Sequence, residues 1–264
     1  MERKEAKRIL WLTDLHMVDA SKYAIKEFFE NMAVQACDAI CITGDISDGY
    51  RFIDFLKRIY NFSFQKTIYF VLGNHDYFYS SIRDTRRLAR ELSKEYPEIH
   101  YLTDLGLLEI NRECAIVGHD SWPDGRFGVL SEDSMFFRDF FCIEDFIGLN
   151  FEQARKKMME LGDEASEYFK ECLDRGFQRY RKILLLTHVP PFEEACGDKK
   201  DGYFISESVG EALKEVMEKY FSCELTVLCG HSHSSSNFSA LPNLHVSSGE
   251  SEVGFPGVQK VIYF

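Results

Sequence analysis

No run of about 18 consecutive apolar residues occurs in the 264-residue chain, so no membrane-spanning helix is expected. Met1 to Arg8 is charged and lacks the apolar stretch of a secretory signal, which makes the cytoplasm the expected compartment. Positive charge is short as well. Against 43 Asp and Glu stand 31 Lys and Arg, a net charge of -12, and such a chain is repelled by nucleic acid and by anionic membranes alike. Paired cysteine spacing is missing: Cys37, Cys41, Cys114, Cys142, Cys172, Cys196, Cys223 and Cys229 are scattered, and reduced core thiols are expected rather than disulfides or a thiolate metal site. Internal repeats, low-complexity tracts and linkers rich in Ser, Gly or Pro are absent too, and one domain over residues 1–264 is expected.

What is present is enough apolar material for a sizeable core, 45% of the residues with 14% aromatic. Short apolar runs at Ile9 to Thr13, Ala39 to Thr43, Thr67 to Leu72, Ile183 to Thr187 and Leu225 to Cys229 read as buried strands. Between them, Ser21 to Gln35, Arg51 to Tyr60, Ser81 to Glu95 and Ser206 to Tyr220 have helical spacing. This alternation predicts an α/β protein. Gly106 to Ile110 with Cys114 to Gly118 predicts a hairpin, as does Leu244 to Ser247 with Val258 to Phe264, so the sheet is expected to be mixed. The stretch from about Trp122 to Arg181, with a helical pattern over Phe151 to Phe177, reads as a helical insertion.

The polar residues that close these runs carry the chemistry. Asp14 and His16 follow the first run, Asp45 the second, Asn74 and His75 the third, His188 the fourth, and His231 and His233 the fifth. In α/β sheets, functional groups gather at the carboxyl ends of strands. One histidine after a strand is ordinarily structural, but five of the eight histidines in such positions point to a metal cluster. Its carboxylate and imidazole mix suits Mn, Fe or Zn better than Mg or Ca. Gly44, Gly73 and Gly230 each precede one of these residues, where a sharp turn out of the strand is needed.

Taken in order, Asp14-Leu15-His16, Gly44-Asp45-Ile46-Ser47-Asp48, Gly73-Asn74-His75-Asp76, Thr187-His188-Val189-Pro190-Pro191 and Gly230-His231-Ser232-His233 resemble the five blocks of the calcineurin-like metallophosphoesterase family. The resemblance implies two packed mixed β-sheets flanked by helices. It implies two divalent metal ions, Mn or Fe first and Zn or Ni next, one held by Asp14, His16 and His233, the other by Asn74, His188 and His231, with Asp45 bridging. It implies that His75 acts on the substrate while Asp48 orients it, and that a hydroxide between the metals attacks phosphorus. The expected partner is a small phosphorylated substrate, a monoester or diester. Diesters are slightly favoured because Gly-His-Ser-His resembles bacterial-type phosphodiesterases, whereas the Gly-Asp-x-x-Asp-Arg-Gly signature of protein Ser/Thr phosphatases is replaced here by Gly44-Asp45-Ile46-Ser47-Asp48-Gly49-Tyr50. A nuclease of the same family and a non-catalytic scaffold are the alternatives.

The substrate side is less legible. His119 and Arg126, near Asp120 and Trp122, are the candidate substrate contacts, with packing of Trp122 and Phe127 and capping by Asp120 as the competing reading. Arg138 and Asp139, amid Phe136, Phe137, Phe140 and Phe141, form a possible lid whose aromatic residues read as core. His100 and His245 are expected to be structural, and Lys199, Lys200 and Asp201 to form a solvated loop.

Overall fold

Alternate residues of each apolar strand face different layers. The computed structural model describes residues 7–128, 130, 135, 137–198 and 201–264, so Phe136, Lys199 and Lys200 lie outside the described residues. In β1 (Arg8–Leu12), Ile9 and Trp11 enter a central core while Leu10 and Leu12 enter an outer one. In β7 (Lys182–Thr187), Leu184 and Leu186 meet the same central core, and Ile183 and Leu185 face the opposite outer core. Burial on both faces is why these strands read as continuous apolar runs. Each Leu or Ile so buried contributes roughly 1.5–3 kcal/mol relative to exposure.

The two layers of strands are mixed sheets. In the first, β1, β2 (Ala39–Thr43), β3 (Thr67–Val71) and β4 (Ile99–Tyr101) run parallel, and β11 (Lys260–Tyr263) joins β1 antiparallel at the edge. In the second, β6 (Cys114–His119), β7, β8 (Glu224–Cys229) and β10 (Leu244–Ser248) run parallel, with β5 (Leu108–Glu109) and β9 (Ser236–Leu241) antiparallel at its two edges. Outside the first sheet lie α1 (Lys22–Ala33), α2 (Phe52–Phe62) and α3 (Ile82–Glu95), which bury Phe28, Leu56 and Ala89. Outside the second lie α5 (Phe151–Gly176) and α6 (Glu207–Lys219), which bury Phe169 and Leu213. Ser21 caps α1 by accepting from the Ala24 N–H, and Ser81 caps α3 by accepting from that of Asp84.

The first predicted hairpin forms, as β5 and β6. The second does not: Leu244 to Ser248 pairs with β8 and β9, while the final strand crosses to the other sheet and pairs with β1. The true partner, β9, is a half-exposed edge strand of sequence SNFSAL with no apolar run to reveal it. His100 lies inside β4, stacked on Tyr69, and His245 lies inside β10, bonded to Ser239.

The stretch between β6 and β7 is joined to both outer cores. Trp122, Phe140, Ile143 and Phe146 enter the first. Along α5, Ala154, Met158 and Leu161 continue in that core, and Ala165, Phe169 and Leu173 belong to the second. A helix of 26 residues, about 39 Å long at 1.5 Å per residue, therefore spans from one to the other. No helix among the described residues is long and apolar enough to cross a membrane. No disulfide joins any of the eight cysteines among the described residues, and all but Cys142 are buried.

Candidate metal centre

The parallel strands β1, β2, β3, β7 and β8 bring Asp14, His16, Asp45, Asn74, His75, His188, His231 and His233 to one edge of the paired sheets. Backbone bonds tie these ends together, Asp14 N–H donating to Gly44 C=O at 3.1 Å and Gly230 N–H to His188 C=O at 2.8 Å. The turns are made largely by the functional residues themselves. Asp14, His16, Asp45, His231 and His233 have φ of 47°, 40°, 49°, 64° and 55°, a left-handed backbone that costs a residue with a Cβ on the order of 1–3 kcal/mol. Gly73 and Gly230 serve instead as clearance. A Cβ on Gly73 would sit 2.2 Å from Asp45 Oδ1, and one on Gly230 would sit 2.1 Å from Asp14 Oδ2.

One group comprises Asp14, His16, Asp45 and His233, whose ligand atoms all lie within 4.8 Å of one another. The Nε2 atoms of His16 and His233 face each other at 3.1 Å, with Asp45 Oδ2 3.6 Å from the first and Asp14 Oδ1 3.4 Å from the second. Burial alone would raise the Asp14 and Asp45 carboxyls, but the neighbouring imidazoles hold both below the usual carboxylate range. His16 is pushed down by burial, and its Nδ1 is buried without a hydrogen-bond partner.

The other group can be read from hydrogen-bond bookkeeping. His188 Nδ1 lies 2.8 Å from Thr43 C=O, which only accepts, so Nδ1 carries a proton and the ring, in its neutral form, presents a bare Nε2. His231 Nε2 lies 3.1 Å from Tyr203 C=O, so its bare nitrogen is Nδ1. The Asn74 amide donates through Nδ2 to Asp139 Oδ1 at 2.9 Å, which leaves Oδ1 facing inward. That oxygen stands 3.1 Å from His188 Nε2 and 3.0 Å from His231 Nδ1, and Asp45 Oδ1 is 3.5 Å from His188 Nε2. Four acceptors thus converge with no donor among them, an arrangement that calls for a cation. Burial lowers His188, but Asp45 and Asp14 outweigh it and raise its pKa, a sign of the same demand for positive charge. His231 is held down to about 3 by burial and by His188. Carbonyl acceptors on the outer imidazole nitrogens are the usual supports of metal-bound histidines. Both groups fit divalent metals of the Mn, Fe, Zn or Ni kind.

The His75 ring stands outside both groups, while its backbone N–H donates to Asp45 Oδ1 at 2.9 Å. Its Nδ1 is 2.9 Å from Asp48 Oδ1, and its ring meets that of His16 edge-on at 4.6 Å. Burial works against protonation, but Asp45, Asp48 and Asp139 prevail and raise its pKa to about 9.

Several supporting roles were not legible in the sequence. Asp76 accepts from the N–H groups of Gly73, Ser47 and Ile46, pinning the β2 and β3 ends to each other; burial and Asp45 raise it to about 8. Arg138 Nη2 donates to Asp48 Oδ2 at 2.9 Å, and Tyr203 Oη donates to Asp139 Oδ2 at 2.9 Å. Asp139 opens the short helix α4 (Asp139–Cys142), so the stretch read as either lid or core touches Asn74 directly and His75 through Asp48. Of its aromatic residues, Phe140 is core and Phe137 stacks on Tyr203, but Phe141 is exposed.

The two candidate substrate contacts have other partners. His119 is buried against Tyr168 and Phe169, with Nε2 3.6 Å from Glu164. Arg126 clamps Asp124 and Asp163. No hydrogen bond or ion pair among the described residues joins either to the cluster. Asp120 does not cap: it is a buried acceptor for Leu72 N–H, Tyr77, Tyr101 and Thr103.

Paired mixed sheets with an acidic and imidazole cluster at their carboxyl edge define a class of metal-site α/β proteins. The family model described as calcineurin-like phosphoesterase matches residues 7–235, and the chain belongs to that family. No curated protein matches it. Among solved structures it is similar to the phosphopantetheinyl hydrolase of Mycobacterium tuberculosis, with TM-score 0.63, 12% identity, and 97% of this chain and 96% of that one covered. It is similar to a dimetal phosphatase from Danio rerio, with TM-score 0.60, 13% identity, and 99% and 93% covered. A third likeness is the anchor in the inner membrane complex of Plasmodium, with TM-score 0.53, 12% identity, and 94% and 72% covered. Two enzymes and an anchor share this fold, so the fold alone does not set an activity.

Proposed function

We propose that the chain is a phosphoester hydrolase whose two divalent metals, Mn or Fe in preference to Zn or Ni, are held by Asp14, His16 and His233 on one side and by Asn74, His188 and His231 on the other. The observation that carries this reading is the division of Asp45, with Oδ2 toward His16 and Oδ1 toward His188. A carboxylate shared in this way is suited to bridging. When bound, such a metal pair lowers the pKa of water toward neutrality and neutralises phosphate oxygens. The chain's own residues do the rest. His75, charged at neutral pH, supplies a proton to the departing alkoxide, and Asp48 holds its ring through Nδ1. Arg138 fixes the other oxygen of Asp48, and Asp139 fixes the Asn74 amide.

The substrate is a small phosphomonoester or phosphodiester. The net charge of -12 disfavours a long nucleic acid. The test is a panel of mono- and diesters offered to metal-stripped protein reloaded with Mn, Fe, Zn or Ni, alongside metal content by elemental analysis. Turnover with two metals per chain supports the proposal. Tight binding of two metals with no hydrolysis across the panel would leave a scaffold, and failure to bind metal would sink both readings.

A further inference from the structure

Against Asp48 lies a hollow of about 370 Å³, lined also by Val18, Gly49, Tyr50, Arg51 and Tyr79. Its size suits a small ligand. Tyr50 and Tyr79 are each 65% exposed, so the chain displays two large rings at the rim of its site rather than burying them. Tyr79 is held firmly: its φ is 64°, its N–H donates to Cys142 C=O at 2.6 Å, and its hydroxyl accepts from Arg138 Nη2 at 3.2 Å. The two loops that carry the rings are in close contact, since a Cβ on Gly49 would sit 2.6 Å from Phe78 C=O. Arg51 is exposed and has no ion-pair partner among the described residues. Asp48, the one carboxylate in the lining, is already matched by His75 and Arg138 and does not repel an anion on its own.

The hollow therefore adjoins the side of the site where His75 is oriented, which is where a departing alcohol would leave. We propose that it is the subsite for the alcohol portion of the ester, and that it selects a planar aromatic group of nucleobase size whose sugar bears a second anionic group. The tyrosine rings take the base, as aromatic side chains do in sequence-tolerant base binding. Arg51 takes the anion. This subsite rests on the hydrolase reading above.

The experiment compares kcat/KM for ribose 5-phosphate, adenosine 5′-phosphate and adenosine 3′,5′-bisphosphate on Mn-loaded protein. All three present the same primary ester, so leaving-group chemistry is nearly constant. The base is expected to raise kcat/KM about tenfold or more over ribose 5-phosphate. Tyr50→Ala and Tyr79→Ala each collapse that ratio several-fold, and the Phe substitutions at both positions keep it. Arg51→Met removes the further gain given by the second phosphate and leaves the base ratio in place. A ratio near one in the unaltered protein, or a ratio that none of the variants moves, would overturn the subsite. Should no ester be hydrolysed, the reaction assigned above has failed, and the subsite is read separately by calorimetry with adenosine 3′,5′-bisphosphate. Binding weakened by Tyr50→Ala and Arg51→Met retains the subsite, and absence of binding rejects it.

Discussion

The strand ends and the loops around them build one site under different constraints. The strand ends supply Asp14, His16, Asp45, Asn74, His188, His231 and His233, each placed by a parallel ladder that fixes it relative to its neighbours. The loops supply Tyr79, Arg138 and Asp139, placed by side-chain contacts across long stretches of chain, 65 residues from Asn74 to Asp139 and 90 from Asp48 to Arg138. A ladder leaves little freedom in where a side chain is delivered, and a loop leaves much. The first set therefore suits chemistry shared across a family, and the second suits the choice of substrate.

Substitutions can break this division, most severely at the bridge. Asp45→Ala is expected to abolish turnover and to reduce metal content from two per chain toward none, because each group loses one oxygen of the shared carboxylate; elemental analysis with a steady-state assay reads both. His75→Ala is expected to keep both metals and lower kcat on alkyl esters by roughly 10² to 10⁴. The loss should shrink for a nitrophenyl ester, whose leaving group needs no proton, and equal losses on both would remove His75 from the acid role. Asp139→Ala sharpens the comparison, since a loop residue here supports a strand-end one. Affinity for one of the two metals should weaken about 10- to 100-fold, seen as a second, weaker phase in a metal titration. The smallest effect is expected from Arg126→Met. Its ion pairs with Asp124 and Asp163 are partly exposed, and loss of roughly 1 kcal/mol or less of stability with little change in kcat/KM is the anticipated result. A tenfold drop in kcat/KM with the melting temperature unchanged would return Arg126 to the substrate.

The same division accounts for what could be read in the sequence. Buried strands announce themselves as apolar runs, so the residues that interrupt them stand out, and the five strand ends with their polar residues were all legible. The fold followed from the family blocks more than from the alternation, which by itself suggests a single doubly wound sheet. The last strand was assigned to the wrong partner because neighbours in sequence usually pair, whereas β11 crosses to the other sheet. Arg138 and Asp139 were visible only as a polar pair inside an aromatic run, with no spacing to connect them to Asp48 or Asn74. Asp76 was quoted as part of a block, yet its work, receiving three backbone N–H groups, leaves no mark in the pattern of residue types.

The left-handed backbone at Asp14, His16, Asp45, His231 and His233 sets heat tolerance against function. Glycine at any of the five would relieve roughly 1–2 kcal/mol of steric cost and, on the proposed function, remove a metal ligand in the same stroke. Selection for thermal survival alone would therefore drift toward a tougher, inert protein, and a library screened for stability must be screened for turnover at the same time.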